Sequence, residues 1–260
     1  MSALSEGWRI QTRVIGALMI RELNTRFGRD NIGFLWICAE PMLFAGLVGL
    51  VWSFIRGPEE NGIGIVAFIG SGYIPLTFFR SAVGRSNKVV EANSGLMYHR
   101  QIKMLDFVFT RVFIEMIGAM MAYVFFAGAL GLVGLFPIPA NPGILIAGFL
   151  LYALFTLSVC LILAPLSELS EVIEKLLPVT TYIMIPFSGT FQLNSWLSPS
   201  VRAVELWSPP ANAMEIMRLG LFGDKVHPYY DLSSTLAISA VLMMIGLIMS
   251  RRMRRDIVVA

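Results

Sequence analysis

Long apolar runs alternate with short polar breaks along this chain. Six runs approach the ~20 mostly apolar residues that a helix needs to cross a bilayer, at roughly 33–55, 63–84, 106–135, 143–166, 176–193 and 233–250. The breaks between them are too short for a separate unit of ~50 residues or more, the longest running from about 194 to 232. The pattern predicts an all-α integral membrane protein with six transmembrane helices, forming one membrane domain over 1–260.

Three polar or mixed segments refine that outline. Before the first run, Ile15, Leu18, Met19 and Leu23 recur at helical spacing, with Arg9, Arg13 and Asn24 mostly opposite. This predicts an amphipathic helix within 1–32, lying in the membrane surface. Its arginines would meet anionic headgroups, and Glu22 can pair with Arg26 one turn on. A plain anchoring helix satisfies the same pattern. The chain then turns at Gly28 to Gly33 and enters the bilayer at Trp36, an indole at interface depth. The loop GRSNKVVEANSGLMYHRQIKMLD, residues 84–106, carries Val89, Val90, Leu96, Met97 and Tyr98. It suits a short amphipathic helix that docks in another protein's groove or lies on lipid. The stretch FQLNSWLSPSVRAVELWSPPANAMEIMRLGLFGD is rich in apolar and aromatic residues but broken by Pro199, Pro209 and Pro210. Each fragment is too short to span. Two short helices re-entering the far leaflet, buried against protein, would keep the broken backbone away from lipid. The Pro209–Pro210 pair suits the first turn of such a helix.

Composition and charge set the orientation. At 56% hydrophobic and 14% charged residues, the chain is too apolar for an ordinary soluble domain. Arginines and lysines concentrate before span one, in the 84–106 loop and after span six, which places those segments, and both termini, in the cytoplasm. The span four to five loop is then cytoplasmic despite Glu168, Glu171 and Glu174, because acidic residues count little in that rule. No cleavable leader pattern is read at the N-terminus, so span one is expected to remain. Cys38 and Cys160 fall within spans, as small buried hydrophobes. Glu40, beside Pro41 in span one, is either functional by the cost of an intramembrane carboxylate or the partner of an arginine in the surface helix. Arg111 and Glu115 can neutralise each other at i,i+4 spacing. Arg80 either snorkels to the surface, the simpler reading, or faces a polar cavity.

Chemistry-bearing motifs are scarce. The sequence contains no GxxxxGK[ST], HExxH or GxSxG, so neither a phosphate-cradling loop nor a familiar hydrolytic site is present. His99 and His227 are expected on opposite sides of the membrane. The basic balance is accounted for by inner-face arginines and implies no nucleic acid.

RELNTRFGRDNIGFLW running into AEPM, the six spans, the 84–106 loop and the late SPPANAMEIMRLGLFG together resemble the membrane subunit of ABC-2 type exporters, most closely the inner-membrane permease of capsular polysaccharide exporters. The resemblance covers essentially the whole chain. It implies a homodimer in the bacterial inner membrane, with two separate ATPase subunits binding ATP and Mg, no cofactor in this chain, and a polymer channel at the dimer interface. It also implies periplasmic and outer-membrane export partners, a lipid-linked polysaccharide as cargo, and gate helices between spans five and six carrying Trp196, Trp207, Pro209 and Pro210. Val89, Val90, Leu96, Met97 and Tyr98 become the expected ATPase contacts. Sugars stack on aromatic rings, which makes Tyr73, Phe78, Phe79, Tyr123, Tyr152 and Tyr182 channel candidates. An acidic polymer favours a basic mouth, where Arg26, Arg29, Arg80, Arg85, Arg100 and Lys103 are expected. O-antigen, teichoic acid or a drug are alternative cargoes, and a membrane scaffold is the rival outside transport.

Overall fold

The computed structural model describes the backbone of residues 3–27, 32–96 and 102–259 and the side chains of 5–25, 36–96 and 102–253. Its helices are α1 (Ala3–Phe27), α2 (Ile32–Arg56), α3 (Ile65–Ser86), α4 (Met104–Leu132), α5 (Pro142–Leu169), α6 (Glu171–Ile183), α7 (Pro199–Glu205), α8 (Pro209–Phe222) and α9 (Leu232–Val259). A two-stranded hairpin, Glu59–Glu60 with Ile63–Gly64, joins α2 to α3. Its turn is Asn61-Gly62, with both φ values positive, the conformation that Asn-Gly adopts at least cost. Local signals open the other helices. Asn141 Oδ1 accepts from Ile144 N at 3.2 Å to cap α5, with Pro142 in the first turn. Asp106 accepts from the Lys103 N–H at 2.8 Å to start α4.

Among the described residues, five helices have the length and composition to cross a membrane: α2 from Trp36, α3, α4, α5 and α9 to Met253. The fifth expected span, 176–193, takes a different form. Its helix begins earlier, at Glu171, and stops at Ile183, giving ~20 Å of rise at 1.5 Å per residue against a hydrocarbon core of ~30 Å. Residues 184–193 follow as turns. Pro186 disfavours helical backbone at Ile185 before it, and Gly189 adopts a φ of +67°. The apolar composition of 184–193 continues past the end of the helix, because composition does not register where the hydrogen-bond ladder stops.

The 84–106 loop is described up to Leu96 and from Ile102. Where a short amphipathic helix was expected, the described residues hold a six-residue 3-10 helix, Glu91–Leu96. Val89 is fully buried in the chain's own core, and Val90 and Leu96 pack against that core. Met97 and Tyr98 lie outside the described residues.

α5 organises the bundle, packing chiefly against α8 and α9, while α2 pairs with α3 and α4. The α5–α8 contact is close because it is made by glycines. A Cβ on Gly148 would fall 2.6 Å from Met217 N, and one on Gly220 would meet the Leu145 backbone. Small residues let helix backbones approach in this way where no hydrophobic drive separates protein from lipid. Almost all of α8 is thereby buried, although the helix is only 14 residues long. α2 and α9 leave most of their apolar surface uncovered, and α3 is the most enclosed of the spans.

Candidate functional site

A cavity of about 610 Å³ lies between α2, α3, α4 and α6, within the range of small-molecule sites. α3 supplies one wall through Tyr73, Thr77, Phe78, Arg80, Ser81 and Arg85. These recur at three- and four-residue intervals and so share a face of the helix. α6 adds Pro178, Thr181 and Tyr182, α2 adds Trp36, Glu40 and Phe44, and α4 adds Glu115. Arg80 lies over the Tyr182 ring at 4.3 Å, a cation–π contact joining α3 to α6. Its Nε is buried without a hydrogen-bond partner. Arg80 therefore lines the cavity, with its guanidinium against the half-exposed Tyr182 ring. Arg85 Nε pairs with Glu115 Oε1 at 2.6 Å. Arg111 Nε reaches Glu22 Oε1 of α1 at 3.6 Å. Both members of the expected Arg111–Glu115 pair thus carry partners from other helices. Glu40 opens into the same cavity. Two arginines and two glutamates line it, so it is polar and aromatic without a large formal charge.

Of the expected channel residues, the cavity gathers Tyr73, Phe78, Tyr182, Arg80 and Arg85. Phe79, Tyr123 and Tyr152 serve helix packing: Phe79 stacks on Phe155 at 6.0 Å, Tyr123 meets Phe136 edge-on at 6.0 Å, and Tyr152 is 1% exposed behind Phe78. Lys103 is exposed at the start of α4, away from the cavity lining. Arg29, Arg100 and the Arg26 side chain lie outside the described residues. Among the described residues no cluster of His, Cys, Asp or Glu is arranged to hold a metal.

At the hairpin end of the bundle, α8 holds the interrupted end of α6. Arg218, fully buried, donates through Nη1 to the carbonyls of Gly189 and Gln192, the latter at 2.7 Å, and through Nη2 to that of Thr190. Its guanidinium lies 3.9 Å from the Phe68 ring centre. Glu215, one turn away, accepts from Asn194 N at 2.7 Å. Arg202 of α7 donates to the Asn194 and Leu197 carbonyls at 2.7 and 2.9 Å. The carbonyls that 184–193 cannot pair along a helix are thus met by side chains, as buried backbone requires. Trp196 packs on Phe68 at 5.0 Å, and Phe191 stacks on Trp52 of α2 at 5.5 Å. Trp207 is exposed, while Pro209 and Pro210 are buried at the start of α8. Sequence reading passed over Arg218 and Glu215. Two charges three residues apart in the apolar text MEIMRLGLF were the available signal.

Residues 13–222 match the family described as ABC-2 type transporter. Over 248 residues the chain is 33% identical to the capsule polysaccharide export inner-membrane protein BexB of Haemophilus influenzae, spanning 95% of this chain and 94% of that protein. It is 34% identical over 252 residues to the capsule polysaccharide export inner-membrane protein CtrC of Neisseria meningitidis serogroup A, spanning 97% and 95%. The polysialic acid transport protein KpsM of Escherichia coli is 25% identical over 250 residues, spanning 94% and 95%. A helical chain with apolar spans, a cavity between them and a match over most of its length leads to one assignment: this chain belongs to the ABC-2 type transporter family.

Proposed function

We propose that this chain is the membrane-spanning permease subunit of an exporter that moves capsular polysaccharide across the bacterial inner membrane, driven by ATP hydrolysis on a separate subunit. The observation that carries the reading is similarity along nearly the full length to inner-membrane proteins of capsule polysaccharide export. The cavity supports it, with aromatic faces suited to sugar rings and hydrogen-bonding groups at Arg80, Thr77 and Thr181. In this reading two copies form the channel and two ATPase subunits seat against the 84–106 loop. Both termini are cytoplasmic, and α6 with 184–193 makes the fifth crossing as a broken span. α7 and α8 re-enter the periplasmic leaflet as the gate, and periplasmic and outer-membrane export proteins receive the polymer. The large apolar surfaces of α2 and α6 that the chain leaves uncovered are open to lipid or to that second copy. Deleting the coding sequence from its host should leave polymer inside the cell, and restoring it should return polymer to the surface, read by antibody labelling before and after permeabilisation. Surface polymer undiminished in the deletion strain overturns the reading.

A further inference from the structure

The segment after α3 is attached to the junction of α5 and α6, where the two helices meet through a single non-helical residue, Ser170. Glu168, in the last turn of α5, accepts from the Val90 N–H at 2.7 Å and the Glu91 N–H at 3.4 Å, the two N–H groups at the start of the 3-10 helix. Lys88 N donates to Ser167 Oγ at 3.1 Å, with Lys88 at a φ of 47°, an uncommon conformation for a lysine. Lys88 Nζ lies 3.1 Å from Glu91 and 3.9 Å from Glu174. A further bond follows from a proline. Pro178 has no N–H to give the Glu174 carbonyl four residues back, and Asn87 Nδ2 donates to that carbonyl at 3.4 Å. The 87–91 segment is therefore bonded to both sides of Ser170. α6 in turn carries Thr181 and Tyr182 into the cavity wall, with Tyr182 on Arg80.

We propose that Glu168 is a positioning residue that passes displacement of the 87–96 segment to α6, and so to the cavity. This rests on the reading that a separate ATPase pushes on the 84–106 loop. A carboxylate accepting two backbone N–H groups resists both pulling and sliding, whereas apolar contact alone would let the segment slide over the elbow. Glu168 contacts no cargo; it acts through Ser170 and the first turns of α6.

The test uses inverted membrane vesicles from the producing strain, with nascent polymer labelled from radioactive sugar nucleotides. Polymer protected inside the vesicles is measured against ATP hydrolysed in excess of vesicles lacking the chain. Glu168→Leu should hydrolyse ATP within about twofold of wild type yet move about tenfold less polymer per ATP, since the two bonds to a charged acceptor are lost. Glu168→Gln, which keeps an acceptor oxygen, should stay within about twofold of wild type in that ratio. A merely structural role would lower the amount of assembled transporter and leave the ratio unchanged. In case the leucine variant fails to assemble, Val90→Cys with Glu168→Cys supplies the second arm. The ratio should be low with free thiols, rise when a short cleavable thiol cross-linker bridges them, and fall again on reduction. An unchanged ratio in Glu168→Leu, or the same ratio with and without the bridge, overturns the inference alone. ATP-independent accumulation in wild-type vesicles overturns the transport reading beneath it.

Discussion

Arg218 shows what one side chain does where a membrane helix is interrupted. A guanidinium carries five donors in a fixed fork, and here it meets the carbonyls of Gly189, Thr190 and Gln192 at once. Arg218→Met should cost ~3–5 kcal/mol, the range for removing one partner from a buried charged arrangement, and appear as a large fall in the thermal unfolding midpoint in detergent. Arg218→Lys should fall between, because a compact ammonium cannot serve three divergent carbonyls. Gly72 faces the same place. A Cβ there would lie 2.7 Å from Thr190 O and 2.8 Å from Arg218 Nη2. Gly72→Ala should therefore destabilise by ~1–3 kcal/mol, and by less in the Arg218→Met background, where one obstruction is gone; strict additivity in the double variant would contradict the shared contact. Asp231 precedes α9 and accepts from Ser233 Oγ at 2.6 Å and Ser233 N at 2.9 Å. The Ser233 hydroxyl first, then the Ser234 and Ser233 N–H groups, hold its carboxyl below the ordinary 3.8. A depressed folded value contributes stability above the unfolded value that is lost as pH falls through the folded one. Asp231 should thus leave unfolding midpoints insensitive to pH near neutrality and lower them below about pH 4, and Asp231→Asn should flatten that part of the profile.

Among elements, α7 and α8 differ despite their shared proline signals. α8 is buried against α5 through Gly148 and Gly220. α7 exposes Val201 and Val204. Cysteine at Met214 should react with a membrane-impermeant maleimide at least about tenfold more slowly than cysteine at Asp224, since Met214 is fully buried and Asp224 exposed. Cysteine at Val204 reports the environment of α7. Slow reaction there means that lipid or a second copy covers the helix, and labelling as fast as at Asp224 would remove α7 from the membrane. The α3 wall was legible in the sequence: Tyr73, Thr77, Arg80, Ser81 and Gly84 form a three- and four-residue stripe of non-aliphatic positions in an apolar helix. The other walls were not, because helix pairing, rather than spacing, brings Glu40, Glu115 and Tyr182 to face that stripe.

For the whole molecule, membership of the ABC-2 family divides the work between chains. The purified permease should show no ATP turnover above background and acquire it only with its ATPase partner; turnover that persists in the isolated chain through stringent purification would sink that division. α2, α6 and α9 leave apolar faces uncovered by the rest of the chain, as surfaces that meet lipid or another protein do. The cavity, bounded by α2 and α6 among others, adjoins those open faces.

The sequence by itself determined the medium, the number and approximate place of the apolar runs, the proline-broken helices after the fifth and the family, because each is a property of local composition or of contiguous text. Tertiary structure alone decided that α6 ends at Ile183, that Arg80 lies on Tyr182, that Val89 is core, that Glu168 accepts from the Val90 N–H, and that Arg218 meets the carbonyls beyond α6. The physical reason is common to all of them. In a low-dielectric bundle, each interrupted backbone group or buried charge must find a partner, and that partner comes from a helix distant in sequence.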